Sequence, residues 1–209
     1  MPDPHNVTDL QSLEALFGSV GEASVRKQVP FLHPVYRQWI EASPFAVLAT
    51  AGAGGLDASP RGDPASLVTV QDEHTLLLPE RRGNNRIDSL RNIVADPRVA
   101  LLFFIPGVGE TLRVNGRARI SVAPELLRRL AMGGTPPKCV IVVDIETVLF
   151  QCARAMQRSK LWADRSSAAP RTVPSAGTML AALTDSAIDG AAYDRDLPQR
   201  QRATLYRDS

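Results

Sequence analysis

Up to residue 42 the apolar positions recur at helical spacing; beyond it they alternate or bunch into short blocks. Asp9 to Phe17 (DLQSLEALF) predicts a short helix opened by Thr8 or Asp9 and closed by Gly18, with a weaker helical piece from Gly21 to Gln28. Pro34 sits where a first helical residue belongs, and Val35, Tyr36, Trp39 and Ile40 supply a packing face up to about Ala42. After Ser43-Pro44 the pattern changes to strands. Phe45 to Ala51 reads as buried; Gly52, Gly54 and Gly55 turn it, and Leu56 to Ser59 returns. Further strands are predicted at Ala65 to Val70, His74 to Leu78, Val99 to Ile105 and Thr111 to Ser121. In the last of these Leu112, Val114, Ala118 and Ile120 alternate with polar residues, so one face is solvated or lines a site. Lys138 to Phe150 is one long strand or two consecutive ones, with Asp144 at the bend. Helices are expected at Pro124 to Met132, closed by Gly133-Gly134, and at Thr178 to Ser186.

The stretch LLLPERRGNNRIDSLRNIV (Leu76 to Val94) joins strand to helix through a tight loop. The apolar run stops at Pro79; Ile87, Leu90 and Val94 then mark one helix face. Asn85 stands where an N-cap belongs, with Asp88 at the third helical position. Six to eight short strands with single interspersed helices predict a mainly β chain with helices (α+β), built as an antiparallel barrel rather than a doubly wound sheet. No GxGxxG follows a strand, so a dinucleotide fold has no support. With 209 residues, one domain with terminal additions is expected: helices over 1–43, a barrel over 44–165 and an extension over 166–209 carrying one short helix.

The net charge of +2 gives no reason to expect a nucleic-acid or membrane-surface protein. Acidic residues interrupt the basic ones, Glu80 beside Arg81 for example, so no contiguous basic face forms. Lys27, Lys138 and Lys160 are the only lysines, so a bound anion would meet mainly bidentate guanidinium groups. Cys139 and Cys152 show no CxxC spacing and read as two buried thiols, and the three histidines are scattered; a metal centre is not expected. No apolar run approaches the ~18 residues of a membrane span and no leader pattern opens the chain, so the cytoplasm is the expected location.

Four clusters carry candidate chemistry. The loop Arg81 to Arg86 opens a helix whose amides and dipole face outward, a place for an anion; a solvated loop would look much the same. In Ser59-Pro60-Arg61-Gly62-Asp63-Pro64 a turn explains the glycine and prolines, but not an arginine held so stiffly. Thr111, Arg113 and Asn115 share one strand face, as exposed polar residues often do. Arg154, Arg158, Ser159, Lys160 and Trp162 crowd a short helical turn that a surface helix would equally produce.

In order and spacing, SPFAVLAT, DASPRGDP, LLLPERRGNNRIDSLRNI, LLFFIPG with LRVNGRARI, and CARAMQRSKLW resemble the FMN-binding proteins related to pyridoxamine 5'-phosphate oxidase, more narrowly a bacterial subgroup. The resemblance spans about Ser43 to Trp162. It implies a split barrel, a homodimer, and FMN at the subunit interface. It also implies phosphate contacts from Arg61 and from Asn84, Asn85 and Arg86, with Arg81 or Arg82 as neighbours. Thr111 falls near the flavin ring edge with Arg113 close by. Arg154, Arg158 and Trp162 occupy the region that commonly faces the flavin, often from the other subunit.

The departures are informative. Asn84, Asn85 and Arg86 stand where the oxidases carry Ser-Arg-Lys, and no lysine follows Arg61 at the oxidase position. The tail RDLPQRQRATLYRDS lacks the oxidases' C-terminal arginine and histidine motif, which argues against oxidation of pyridoxamine phosphate. Arg61, Arg86 and loop amides still suffice to neutralise a phosphate. The expectation is a flavin-dependent oxidoreductase of unknown small-molecule substrate, without a nucleic-acid or membrane partner and with no catalytic residue to name. The alternatives are a non-enzymatic flavin-binding or sensing protein, and the deazaflavin F420 in place of FMN.

Overall fold

The structure is a computed structural model that describes residues 3, 5–81, 83, 85–163 and 173–204. Seven strands form one sheet: β1 (Phe45–Gly52), β2 (Gly55–Gly62), β3 (Thr69–Val70), β4 (Thr75–Glu80), β5 (Arg98–Phe104), β6 (Thr111–Ser121) and β7 (Cys139–Gln151). Their order is β2-β1-β5-β6-β7-β4-β3, every neighbouring pair is antiparallel, and the sheet is open, with β2 and β3 at its edges. The chain is thus mixed α+β with an antiparallel sheet, consistent with the expected split barrel.

The long strands β6 and β7 let one sheet wrap a core. β6 pairs with β7 along its whole length, while the first half of β7 also pairs with β4. The register slips between Asn115 and Gly116, where Glu146 is the extra residue on β7. A bulge of this kind bends and twists the strand. Gly116 is required there, because a Cβ would lie 2.2 Å from the Asp144 carbonyl oxygen. The bend foreseen near Asp144 is this bulge within a single strand.

Apolar runs on β4 and β7 reflect burial on both faces. Leu76, Leu78, Ile141 and Val143 point into the main core with Leu48, Leu101, Phe103 and Leu112. Leu77, Val140 and Val142 face the other way, under Leu126, Leu127 and Leu130 of and after α5 (Pro124–Arg129). A fully buried Leu, Ile or Phe contributes roughly 1.5–3 kcal/mol, whereas an exposed ion pair contributes at most about 1 kcal/mol. These layers therefore set the fold.

Of the N-terminal helices, α1 (Leu10–Ala15) and α2 (Glu22–Arg26) bury no residue. α3 (Pro34–Ala42) seats Ile40 in the core with Tyr36 and Trp39 against it, but Val35 is exposed because it lies well round the helix from Ile40. β2 runs on through Pro60 and Arg61, and β4 through Pro79, where β3 no longer flanks it and a missing N–H costs nothing. The strand expected from Ala65 is only Thr69–Val70, because Leu67 and Val68 enter the core from irregular backbone.

α4 (Asp88–Ala95) starts later than expected. Asn85 has φ +59°, which no helix continues, so Ile87 is the N-cap and no side chain caps the helix. The buried face is Ser89 and Ile93, not Ile87 and Val94, which are exposed. Past β7 come α6 (Arg154–Ser159), α7 (Ala176–Leu183) and α8 (Gly190–Thr204). α7 and α8 cross so closely at Gly177 and Gly190 that a Cβ on Gly177 would meet the Gly190 carbonyl at 2.0 Å. α8 takes the place of the charged end expected after one helix; its polar residues hide any apolar stripe. No helix among the described residues is long and apolar enough to cross a membrane.

Candidate functional site

The inward residues of β2 are Asp57, Ser59 and Arg61, a polar row on a strand whose outward positions are exposed. That row forms one wall of a cleft of about 490 Å³. Pro79, Glu80 and Arg81 at the end of β4, the start of α4, and Lys138-Cys139 at the start of β7 form the rest. Of the expected site residues, the cleft gathers Arg61, Arg81, Asn85 and Arg86; Arg82 and Asn84 lie outside the described residues.

Side chains join β2 to β4 across the opening of the sheet. Arg81 Nε donates to Asp63 Oδ2 at 2.6 Å and its Nη1 to the Leu130 carbonyl at 3.1 Å. Asp63 is only 5% exposed there. Arg61 Nη2 lies 3.4 Å from Glu80 Oε2, yet among the described residues that oxygen receives no hydrogen bond and the buried Arg61 Nε has no partner. Arg86 Nε donates to Asp88. Ser89, buried in the first turn of α4, donates to Asp57 Oδ2 at 2.6 Å; its hydroxyl lies 2.9 Å from Ser59 Oγ, which therefore donates to it. This chain of hydroxyls ties the helix start to β2.

Among the described residues four cations and four carboxylates line the cleft. The cleft is therefore not the bare arginine cluster that the sequence suggests, since Arg61 on β2 and Arg81 and Arg86 of the loop each face a carboxylate. Sequence reasoning missed Lys138, Asp57 and Ser89. Lys138 comes from the far side of α5, and its Nζ donates to Asn85 Oδ1 at 2.7 Å. The beginning of α4 adds free amides and the positive end of the helix dipole.

The remaining expected residues lie elsewhere in the chain. Thr111 is buried with its Oγ1 3.3 Å from Gln151 Oε1, and Arg113 keeps a buried Nε with no partner among the described residues. Trp162 Nε1 donates to the Val108 carbonyl at 2.8 Å, while Arg154 and Arg158 are exposed on α6. This group sits at the Gln151 end of β7 and the cleft at its Cys139 end, separated by roughly 40 Å of extended strand. The cysteines differ too. Burial, then Glu80, pushes the Cys139 thiol up. Cys152 is exposed, contrary to expectation, and the Arg154 backbone N–H lowers its pKa.

The solved structures that resemble parts of this chain share little sequence with it. HupZ from Group A Streptococcus is 20% identical, with 52% of this chain and 86% of that one covered at a TM-score of 0.41. General stress protein 26 from Bacillus anthracis is 16% identical (55% and 88% covered, TM-score 0.41). The FAD binding protein from Mycobacterium smegmatis is 14% identical (59% and 97%, TM-score 0.40). These likenesses are too distant to speak to function. No curated protein matches the chain. The family model described as pyridoxamine 5'-phosphate oxidase, however, matches residues 32–152, more than half of the chain, including β1 to β7 and the whole cleft. The chain belongs to the pyridoxamine 5'-phosphate oxidase family.

Proposed function

We propose that this protein binds FMN as a homodimer and serves as a flavin-dependent oxidoreductase for a small molecule other than pyridoxamine phosphate. The observation that carries the reading is Arg61. Its guanidinium is held in a cleft wall by a strand inside the family match, with a buried Nε that finds no hydrogen-bond partner among the described residues. Leaving such a donor unmade costs about 1–3 kcal/mol, and a phosphate oxygen would relieve it. Arg86, Asn85 and the amides at the start of α4 line the same cleft and add donors for an anion.

Thr111, Arg113, Arg154, Arg158 and Trp162 would hold the ring system. Because they lie at the other end of β7 from the cleft, they would serve the flavin bound by a second copy. The bound flavin would supply two-electron transfer; the chain's own part is to orient it, shield it and place positive charge near its ring. Arg113 suits that last role, since its Nε too is buried with no partner among the described residues.

The test begins with the purified protein. Denaturation should release a yellow chromophore with the mass of FMN, and anaerobic NADH or NADPH should bleach it while bound. A colourless protein that takes up no flavin refutes the reading. Release of F420 would correct the cofactor, and a flavin that no donor reduces would leave a binding or sensing protein.

A further inference from the structure

We infer that Lys138 is the second phosphate-binding cation of the cleft, and with Arg61 selects a phosphate monoester dianion over its uncharged parent. The inference rests on the reading that the cleft takes the flavin phosphate. Lys138 reaches the site from a remote part of the chain. Pro136 and the buried Pro137 hold the approach extended, and the Lys138 backbone N–H donates to the Glu80 carbonyl at 3.0 Å. The backbone is thereby fixed one residue before β7, with the side chain over the cleft.

Availability separates Lys138 from its neighbours. Arg61 faces Glu80, Arg86 is bonded to Asp88, and Arg81 is locked to a nearly inaccessible carboxylate. Pulling Arg81 toward a ligand would strand Asp63, so Arg81 is a positioning residue. Among the described residues the Lys138 ammonium hydrogen-bonds only to the neutral side-chain oxygen of Asn85. Two of its three donors remain, and moving to a phosphate exchanges a neutral hydrogen bond for a charge-assisted one.

The charge balance supports the same assignment. Among the described residues Lys138 brings the cleft to four cations against Asp57, Asp63, Glu80 and Asp88; without it three face four, a balance less favourable to a dianion. Lys138 is itself exposed, so its removal should leave the fold intact.

The experiment titrates the flavin-free protein with FMN, riboflavin and inorganic phosphate, in the wild type, K138Q and K138R, with thermal unfolding as the control for folding. K138Q should bind FMN and phosphate about tenfold or more weakly, the loss of one charge-assisted bond. Riboflavin affinity should be unchanged and K138R should recover most of the loss. K138Q binding FMN as tightly as the wild type overturns the assignment and leaves the flavin reading standing. Phosphate captured through Lys138 with neither flavin bound overturns the flavin reading and keeps the assignment. Equal affinity for FMN and riboflavin overturns the assignment together with the placing of the flavin phosphate in the cleft, and no binding of any probe overturns the flavin reading as well.

Discussion

Replacing Asp63 with alanine tests how the open sheet is held across the cleft. The carboxylate is 5% exposed and its Oδ2 accepts the Arg81 Nε at 2.6 Å, while Arg81 itself is 16% exposed. Breaking a buried pair by removing one partner costs about 3–5 kcal/mol, mostly the penalty of the charge left behind. Arg81 keeps some contact with solvent and its bond to the Leu130 carbonyl, so the lower end, about 3 kcal/mol, is expected. For a chain of 209 residues each kcal/mol moves the melting temperature by about 2–4 °C, so Asp63→Ala should melt roughly 6–12 °C lower. Calorimetry or circular dichroism at two ionic strengths provides the assay, and the loss should persist at high salt because the pair is shielded from it. A double-mutant cycle with Arg81→Met should return a coupling of about 2 kcal/mol. A shift under about 1 kcal/mol, or full additivity with Arg81→Met, would refute the view that this pair clamps β2 to β4. Loss of FMN-over-riboflavin selectivity in Arg81→Met at unchanged stability would instead make Arg81 a ligand contact.

Gly116→Ala should lose more than about 2 kcal/mol, since its Cβ would meet the Asp144 carbonyl at 2.2 Å and the bulge must open; a thermal melt matching the wild type would count against that geometry. Cys152, exposed and shifted below the ordinary thiol value, should react with a disulfide reagent in the folded protein with a midpoint below pH 9.0, while buried Cys139 reacts only after unfolding. Mass mapping of the labelled peptides decides between them. The Asp96 carboxyl, hydrogen-bonded by the Arg98 side chain and backbone, should titrate at about 2 by NMR. Its folded pKa is depressed, so the stability it contributes is present above its ordinary value of 3.8 and is lost as pH falls from there to about 2. In Arg98→Gln the midpoint should return toward 3.8.

Strands buried on one or both faces were legible because VALLFF and CVIVV are short apolar runs, rich in β-branched or aromatic residues and flanked by prolines. The start of α3 was equally plain, from Pro34 behind His33. Local rules failed where tertiary structure overrides them. Pro79 reads as a strand terminator, yet β4 continues past it because its N faces no neighbour. Asn85 reads as an N-cap, yet it turns left-handed to meet Lys138. Ser89 reads as a surface residue of α4 and is buried because Asp57 and Ser59 receive it. The cleft was half visible: Arg61 and the loop arginines announced themselves by local sequence. Their carboxylate partners and Lys138 did not, since only the fold brings residues 57, 63 and 138 to the same cleft.

The row Asp57, Ser59 and Arg61 on β2 has a consequence at the scale of the solution. β2 is an eight-residue sheet edge, the kind of rim on which another chain can template a strand. Pro60 removes one of the amides that would point outward, and any strand docking there would draw two charges and a hydroxyl toward its own ladder. The polarity that shapes the cleft thus also guards the edge against runaway association. Making the row apolar would do more than empty the cleft: it would leave a protein that fibrillises or precipitates on concentration.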